Sequence, residues 1–109
     1  MRYKLYLDDI RYPAHVGSGL KNTPGWILAR TYDEAVSIVM DNGCPVYISF
    51  DHDLGYENAK TGYDFAKWLV DQDLDNNIIP VDFEFNVHSS DPVGTANIIN
   101  LLDAYLKTR

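Results

Sequence analysis

Cysteine is nearly missing from this chain. The single Cys44 can close no intramolecular disulfide and supply no multi-cysteine zinc site, which points to a reducing cytoplasm and leaves Cys44 as a small residue at the edge of the core. Long apolar runs are missing too. No stretch approaches the ~20 residues that a membrane helix requires, and the opening MRYKLYLDDI turns acidic before a signal-peptide core could form. The expectation is a protein without membrane contact. Positive charge is scarce: 9 Lys and Arg stand against 16 Asp and Glu, for a formal net charge of −7. Binding along a nucleic-acid backbone draws on basic side chains, so wrapping a duplex is excluded. A small nucleotide or an RNA end remains open as a substrate, because a bound metal ion inverts the local charge. Internal repeats, low-complexity tracts and linkers are absent as well. What is present is 109 residues, 46% of them hydrophobic, enough for one compact domain spanning 1–109 around a real core.

The elements alternate along the chain. Residues 3–8 (YKLYLD) alternate around Tyr3, Leu5 and Leu7 and read as a strand. Residues 9–24 hold two prolines and two glycines and no period, the mark of a long loop. WILA at 26–29 is a second short strand. Thr31 with Glu34 three residues on is a capping box, and Ala35, Ile38 and Val39 give the helix behind it a face. Asn42-Gly43 ends that helix. Residues 45–50 (PVYISF) are nearly all apolar, as in a strand covered on both faces. Thr61 and Asp64 repeat the capping spacing, and Phe65, Trp68 and Leu69 form the core stripe of a second helix. Residues 82–88 (DFEFNVH) alternate cleanly, like a strand at a sheet edge. A last helix begins at Pro92, with Asp91 or Ser90 as its N-cap. Strands separated by helices imply parallel pairing through right-handed crossovers. The expected fold is a small three-layer α/β domain with about four parallel strands in the order 2-1-3-4 and three helices.

In such sheets, ligands bind outside the carboxyl ends of the strands. The first strand runs into Asp8, Asp9 and Arg11, the third into Asp51-His52-Asp53, and the fourth into His88-Ser89-Ser90. Carboxylates gathered on one rim call for a cation, and hard oxygen donors select Mg²⁺ or Mn²⁺. Asp8, Asp9 and Asp51 are the leading ligand candidates. Histidine is the side chain type best suited to proton transfer at neutral pH, so His52 and His88 are candidates for general acid and base roles. Arg11 suits a phosphate. Ser89, Ser90 and the amides after them form a helix N-terminus suited to an anion. Tyr12 and Tyr56 sit in the rim loops, where they could stack on a base. His15 lies in the long loop with no such partner nearby in sequence.

The acidic pair after the first strand and the aspartate closing the third resemble the receiver domain of bacterial response regulators. That resemblance implies a metal pair at Asp8 and Asp9, a phosphoacceptor position at Asp51, and a metal contact at Asp53 through its backbone. Receivers also carry a fifth strand ending in lysine, which this sequence lacks. LDDIRYP, ISFDHDLG, TGYDFAKWL and VHSSDPVG together resemble a narrower group, the cyclic-phosphate processing receiver domain of bacteria and phages. The resemblance implies a substrate class of cyclic phosphates, such as 2′,3′-cyclic RNA ends or cyclic nucleotides.

The sequence therefore suggests a metal-dependent phosphoesterase. Asp51, His52 and His88 would carry the chemistry, Arg11, Ser89 and Ser90 the phosphate, and Asp8, Asp9, Asp51 and Asp53 the metal. Two rivals stand beside it: a module that binds or sequesters a cyclic nucleotide intact, and a degenerate phospho-receiver acting as an interaction domain. The alternating strand 82–88, if free at the edge, allows an oligomer.

Overall fold

A computed structural model describes residues 2–9, 25–55 and 59–109. Four strands and three helices follow one another as β1 (Lys4–Leu7), β2 (Trp26–Ala29), α1 (Tyr32–Asn42), β3 (Tyr47–Phe50), α2 (Gly62–Asn76), β4 (Glu84–Val87) and α3 (Pro92–Thr108). All strands are parallel, in the order β2-β1-β3-β4, as the sequence pattern predicts. The loop expected over 9–24 lies, from residue 10 on, outside the described residues, as do Arg11, Tyr12, His15 and Tyr56.

Each helix starts where a side chain satisfies its first amides. Thr61 and Asp64 form a complete capping box on α2. On α1, Thr31 accepts from the Glu34 amide, but the Glu34 carboxylate reaches one residue further back and accepts from the Arg30 N–H. Asp91, the first of the two N-cap candidates, caps α3, and Pro92 follows it. Gly43 ends α1 at φ 83°, a backbone conformation that glycine adopts without a Cβ penalty.

The helices pack against one another, α1 on α2 and α2 on α3, so they share one face of the sheet. Leu5, Leu7, Ile48 and Phe50 point into that face and meet Phe65, Leu69, Ile98 and Leu102, all fully buried. The other face carries Tyr6 and Ser49, with Trp26 and Tyr47 one pleat away. No described helix covers it, so among the described residues the expected third layer is absent. The shared face of α1 and α2 follows from topology: the β2-to-β3 and β3-to-β4 connections cross the sheet in the same sense, and right-handed crossovers put both helices on one side. None of the described helices is long and apolar enough to span a membrane.

The helix ends far from the strand carboxyl termini are tied by the buried Asp73. Its carboxylate accepts from Tyr105 Oη–H at 2.6 Å, from the Ile79 N–H at 2.8 Å and from Arg109 at 3.1 Å. Burial pushes the Asp73 pKa up, but these hydrogen bonds and the Arg109 charge outweigh it and hold the carboxyl below its ordinary value. The folded state therefore binds this proton less readily than the unfolded chain does. The resulting stability is present above about pH 4 and is lost as pH falls through the lowered value. Urea unfolding at pH 6 and pH 3 should show the wild type losing more stability than Asp73→Asn. Equal losses would mean that the carboxylate contributes nothing. The same negative charge, added to burial, pushes the Cys44 thiol up to about 12, which leaves it unreactive as a nucleophile.

Candidate functional site

The strand register builds the site. Leu7 pairs with Ala29 and with Phe50, and Phe50 pairs with Val87. One residue further on, the row continues through backbone bonds: Asp8 N–H to Ala29 O, Asp51 N–H to Leu7 O and His88 N–H to Phe50 O. Asp8, Asp51 and His88 thus form one row, on the same side as Tyr6 and Ser49 because side chains alternate. Their ligating atoms lie within 4.8 Å of one another. Asp8 and Asp51 are buried, at 1% and 5% exposure, while His88 is half-buried.

His88 is held on three sides. Its Nε2 lies 2.9 Å from Asp8 Oδ2, its Nδ1 lies 2.7 Å from Ser49 Oγ, and the Tyr6 ring stacks on it at 4.5 Å and 6°. Arg30 donates to the Asp8 carbonyl oxygen at 3.0 Å, bringing a guanidinium to the same corner.

The alternation that gathers this row sends the next residues elsewhere. Asp9 belongs to neither titratable cluster found among the described residues. His52 turns toward the helical side and joins Asp53 and Asp91 in a second cluster, with Nδ1 at 2.9 Å from Asp53 Oδ1 and 3.3 Å from Asp91 Oδ2. The exposed Asp53 carboxylate therefore sits beside His52, while the metal contact expected of Asp53 involves its backbone carbonyl. The imidazole lies against the first turn of α3. A Cβ built on Gly94 would come 2.3 Å from its Cγ. On the other flank, α2 approaches so closely that a Cβ on Gly62 would come 1.9 Å from the Asp51 carbonyl oxygen.

At the start of α3, where the sequence suggests an anion site, several amides already have partners. Asp91 Oδ1 already accepts from the Val93 and Gly94 N–H groups, each at 3.1 Å, and Ser89 Oγ accepts from the Asp91 N–H. Those amides are committed to the protein's own capping side chains. Ser90 is exposed beside them.

A family model for the cyclic-phosphate processing receiver domain matches residues 3–104. The chain belongs to that family. Among solved structures, this receiver domain is similar to a chain described as "Yeast Spc42 Trimeric Coiled-Coil Amino Acids 181-211" fused to another structure. The TM-score is 0.56 and the identity 18%, over 98% of this chain and 80% of that one, a likeness that concerns the fold alone. No curated protein matches the sequence.

Pattern reading passed over four residues of the receiver domain's rim. Ser49 was the one polar residue in an apolar strand, and that oddity was its signal. Tyr6 read as ordinary strand. Asp91 read only as a cap. Gly94 sits inside a helix, where glycine costs about 0.5–1 kcal/mol against alanine, a cost that marks a close approach.

Proposed function

We propose that this receiver domain is a metal-dependent phosphoesterase of the cytoplasm that opens cyclic phosphates, either 2′,3′-cyclic RNA ends or cyclic nucleotides. The observation that carries the proposal is the row of Asp8, Asp51 and His88 across three neighbouring strand ends, in a chain of a cyclic-phosphate processing family. Two buried carboxylates and an imidazole nitrogen are a donor set suited to a divalent cation. Asp8, Asp51 and His88 Nε2 would hold it, and it would supply positive charge beside the phosphoryl oxygens. Ser49 fixes the imidazole from its other nitrogen, as the outer partners of metal-binding histidines do. Asp9 and Asp53 fall outside this set. The nitrogen donor tips the preference from Mg²⁺ toward Mn²⁺.

The activity test uses pure protein, Mn²⁺ or Mg²⁺, and either a 2′,3′-cyclic-phosphate oligonucleotide or a 3′,5′-cyclic nucleotide. Appearance of a phosphomonoester supports the reading. Tight binding with no product would instead favour a sequestering module. The metal is tested separately, by calorimetry with Mn²⁺ and no substrate. Ser49→Ala should weaken Mn²⁺ binding about 10–100-fold, and Asp51→Asn more. Undiminished affinity in Asp51→Asn would remove the cation from this row.

A further inference from the structure

A groove runs between α1 and α2 at the end of the molecule opposite the rim, where Tyr3, at the start of β1, donates its Oη–H to the Gly43 carbonyl oxygen. Its volume is about 260 Å³, and Met40, Cys44, Trp68 and Ile78 give it an apolar floor. Single apolar side chains at a surface are ordinary. Met40 differs because it is 66% exposed and extends an apolar groove to the surface.

The surroundings carry one sign of charge. α1 ends at Asn42 and α2 at Asn76, and Gly43 and Asn76 both line the groove. A helix carboxyl end carries about half a negative charge, and neither last turn holds a basic residue. On α2, Trp68, Asp71, Gln72, Asp75 and Asn76 follow the i, i+3, i+4, i+7, i+8 pattern of one helix side, so two exposed aspartates stand beside the lining residues. The exposed Asp41 follows Met40. Lys and Arg are absent from 31–59 and from 68–106. Lys67 reaches back to Asp64 at 3.4 Å. Two arginines come to this end of the molecule, and both are engaged, Arg2 with Asp82 and Arg109 with Asp73 and the Ile79 carbonyl oxygen.

We propose that this groove docks a basic peptide segment of a partner protein. One large apolar side chain of the segment sits against Met40 and Trp68, and flanking Lys or Arg side chains lie over the two helix ends. Such docking takes place away from the rim and needs no cyclic phosphate. Other occupants fit less well. Small-ligand sites span roughly 300–1,000 Å³, and this groove is smaller. Nucleic acid and an anionic membrane surface meet repulsion from the aspartates. In a two-fold dimer through this face the patch would meet itself, setting Asp41, Asp71 and Asp75 against their own copies. A basic segment turns each of these charges to attraction, while the apolar floor supplies an energy that salt does not screen. An apolar centre inside a polar rim is also the usual anatomy of a protein interface.

Short random peptides displayed on phage and selected on the full chain supply the probe. The enriched sequences should combine Lys or Arg with Leu, Phe or Trp. In ¹H–¹⁵N spectra, a synthetic copy of the strongest should shift Met40, Gly43, Cys44, Asn76 and the Trp68 indole, and leave Ser49 and His88 unmoved. Met40→Gln should weaken its binding about tenfold, the effect of losing one well-packed anchor contact. Asp71→Asn combined with Asp75→Asn should weaken binding at low salt and flatten its salt dependence. All three positions are exposed, so the variants should keep the wild-type urea midpoint. A selection that returns no basic sequence overturns the proposal. So do peptides that shift the rim instead of the groove, or that bind Met40→Gln as tightly as the wild type. If Met40→Gln fails to fold, the resonances shifted in the wild type decide alone.

Discussion

Phe65→Ala is expected to cost the fold about 3–5 kcal/mol. Phe65 is fully buried on α2 and faces the sheet, with its ring centroid 6.1 Å from that of Phe50 and 5.8 Å from that of Trp68, the second pair stacked at 14°. Truncation removes apolar area and leaves a cavity between a helix and a strand whose backbones cannot both close in. The cost is a large share of the ~5–15 kcal/mol that holds a typical domain together. In urea the midpoint should fall with the slope unchanged, and Phe65→Leu should recover most of the loss. A loss below about 1 kcal/mol would mean that this side of the core rearranges freely, contrary to its dense packing. The effect reaches function through one peptide bond, because Phe50 precedes Asp51.

The secondary structure was legible because each local signal agreed with the fold. Thr61 with Asp64, Asn42-Gly43 and Pro92 marked helix ends that the structure repeats. The clean alternation of 82–88 marked an edge strand, and β4 lies at the edge. The gathering of strand ends into one rim also followed from element order. The sorting within the rim did not. Asp51 and His52 are adjacent in sequence, yet they serve two distinct clusters, Asp51 joining Asp8 and His88 while His52 turns against the first turn of α3. Asp9, next to Asp8, belongs to neither cluster. Partners of the imidazoles were hidden for another reason. Ser49 meets His88, and Asp91 meets His52, across 39 residues each way, and such pairings depend on register and helix placement that no local pattern encodes.

The two clusters divide the chemistry by burial. The Asp8, Asp51 and His88 row is largely shielded and held from behind by Ser49 and Tyr6, which suits charge that must stay fixed. The His52 cluster is wetter, with the Asp53 side chain exposed. The end of β3 supplies a member to each, so their separation is set by the backbone of a single strand rather than by loop conformation.

Gly62→Ala tests that arrangement most severely. Helix propensity argues weakly for stabilisation, since alanine is favoured over glycine by about 0.5–1 kcal/mol in a helix interior and by less at the first helical position that Gly62 holds. The clash argues the other way and should win. The new Cβ would stand 1.9 Å from the Asp51 carbonyl oxygen and 3.0 Å from its carbon, both backbone atoms at the end of a central strand. No side chain can rotate to relieve it, so α2 and β3 must separate. Over-packing of this kind costs about 1–3 kcal/mol or more, and with the small propensity gain subtracted the expected net loss by urea unfolding is about 1–2 kcal/mol. On the proposed metal reading, Mn²⁺ affinity should fall with it, because the displaced residue is the one whose carboxylate joins Asp8. Gly94→Ala is the matched control. There the obstacle is the His52 ring, a side chain that can turn away, so stability should change far less while the ring leaves its place. A Gly62→Ala protein as stable as the wild type, with full Mn²⁺ binding, would show that the close approach of α2 to Asp51 does not set the rim.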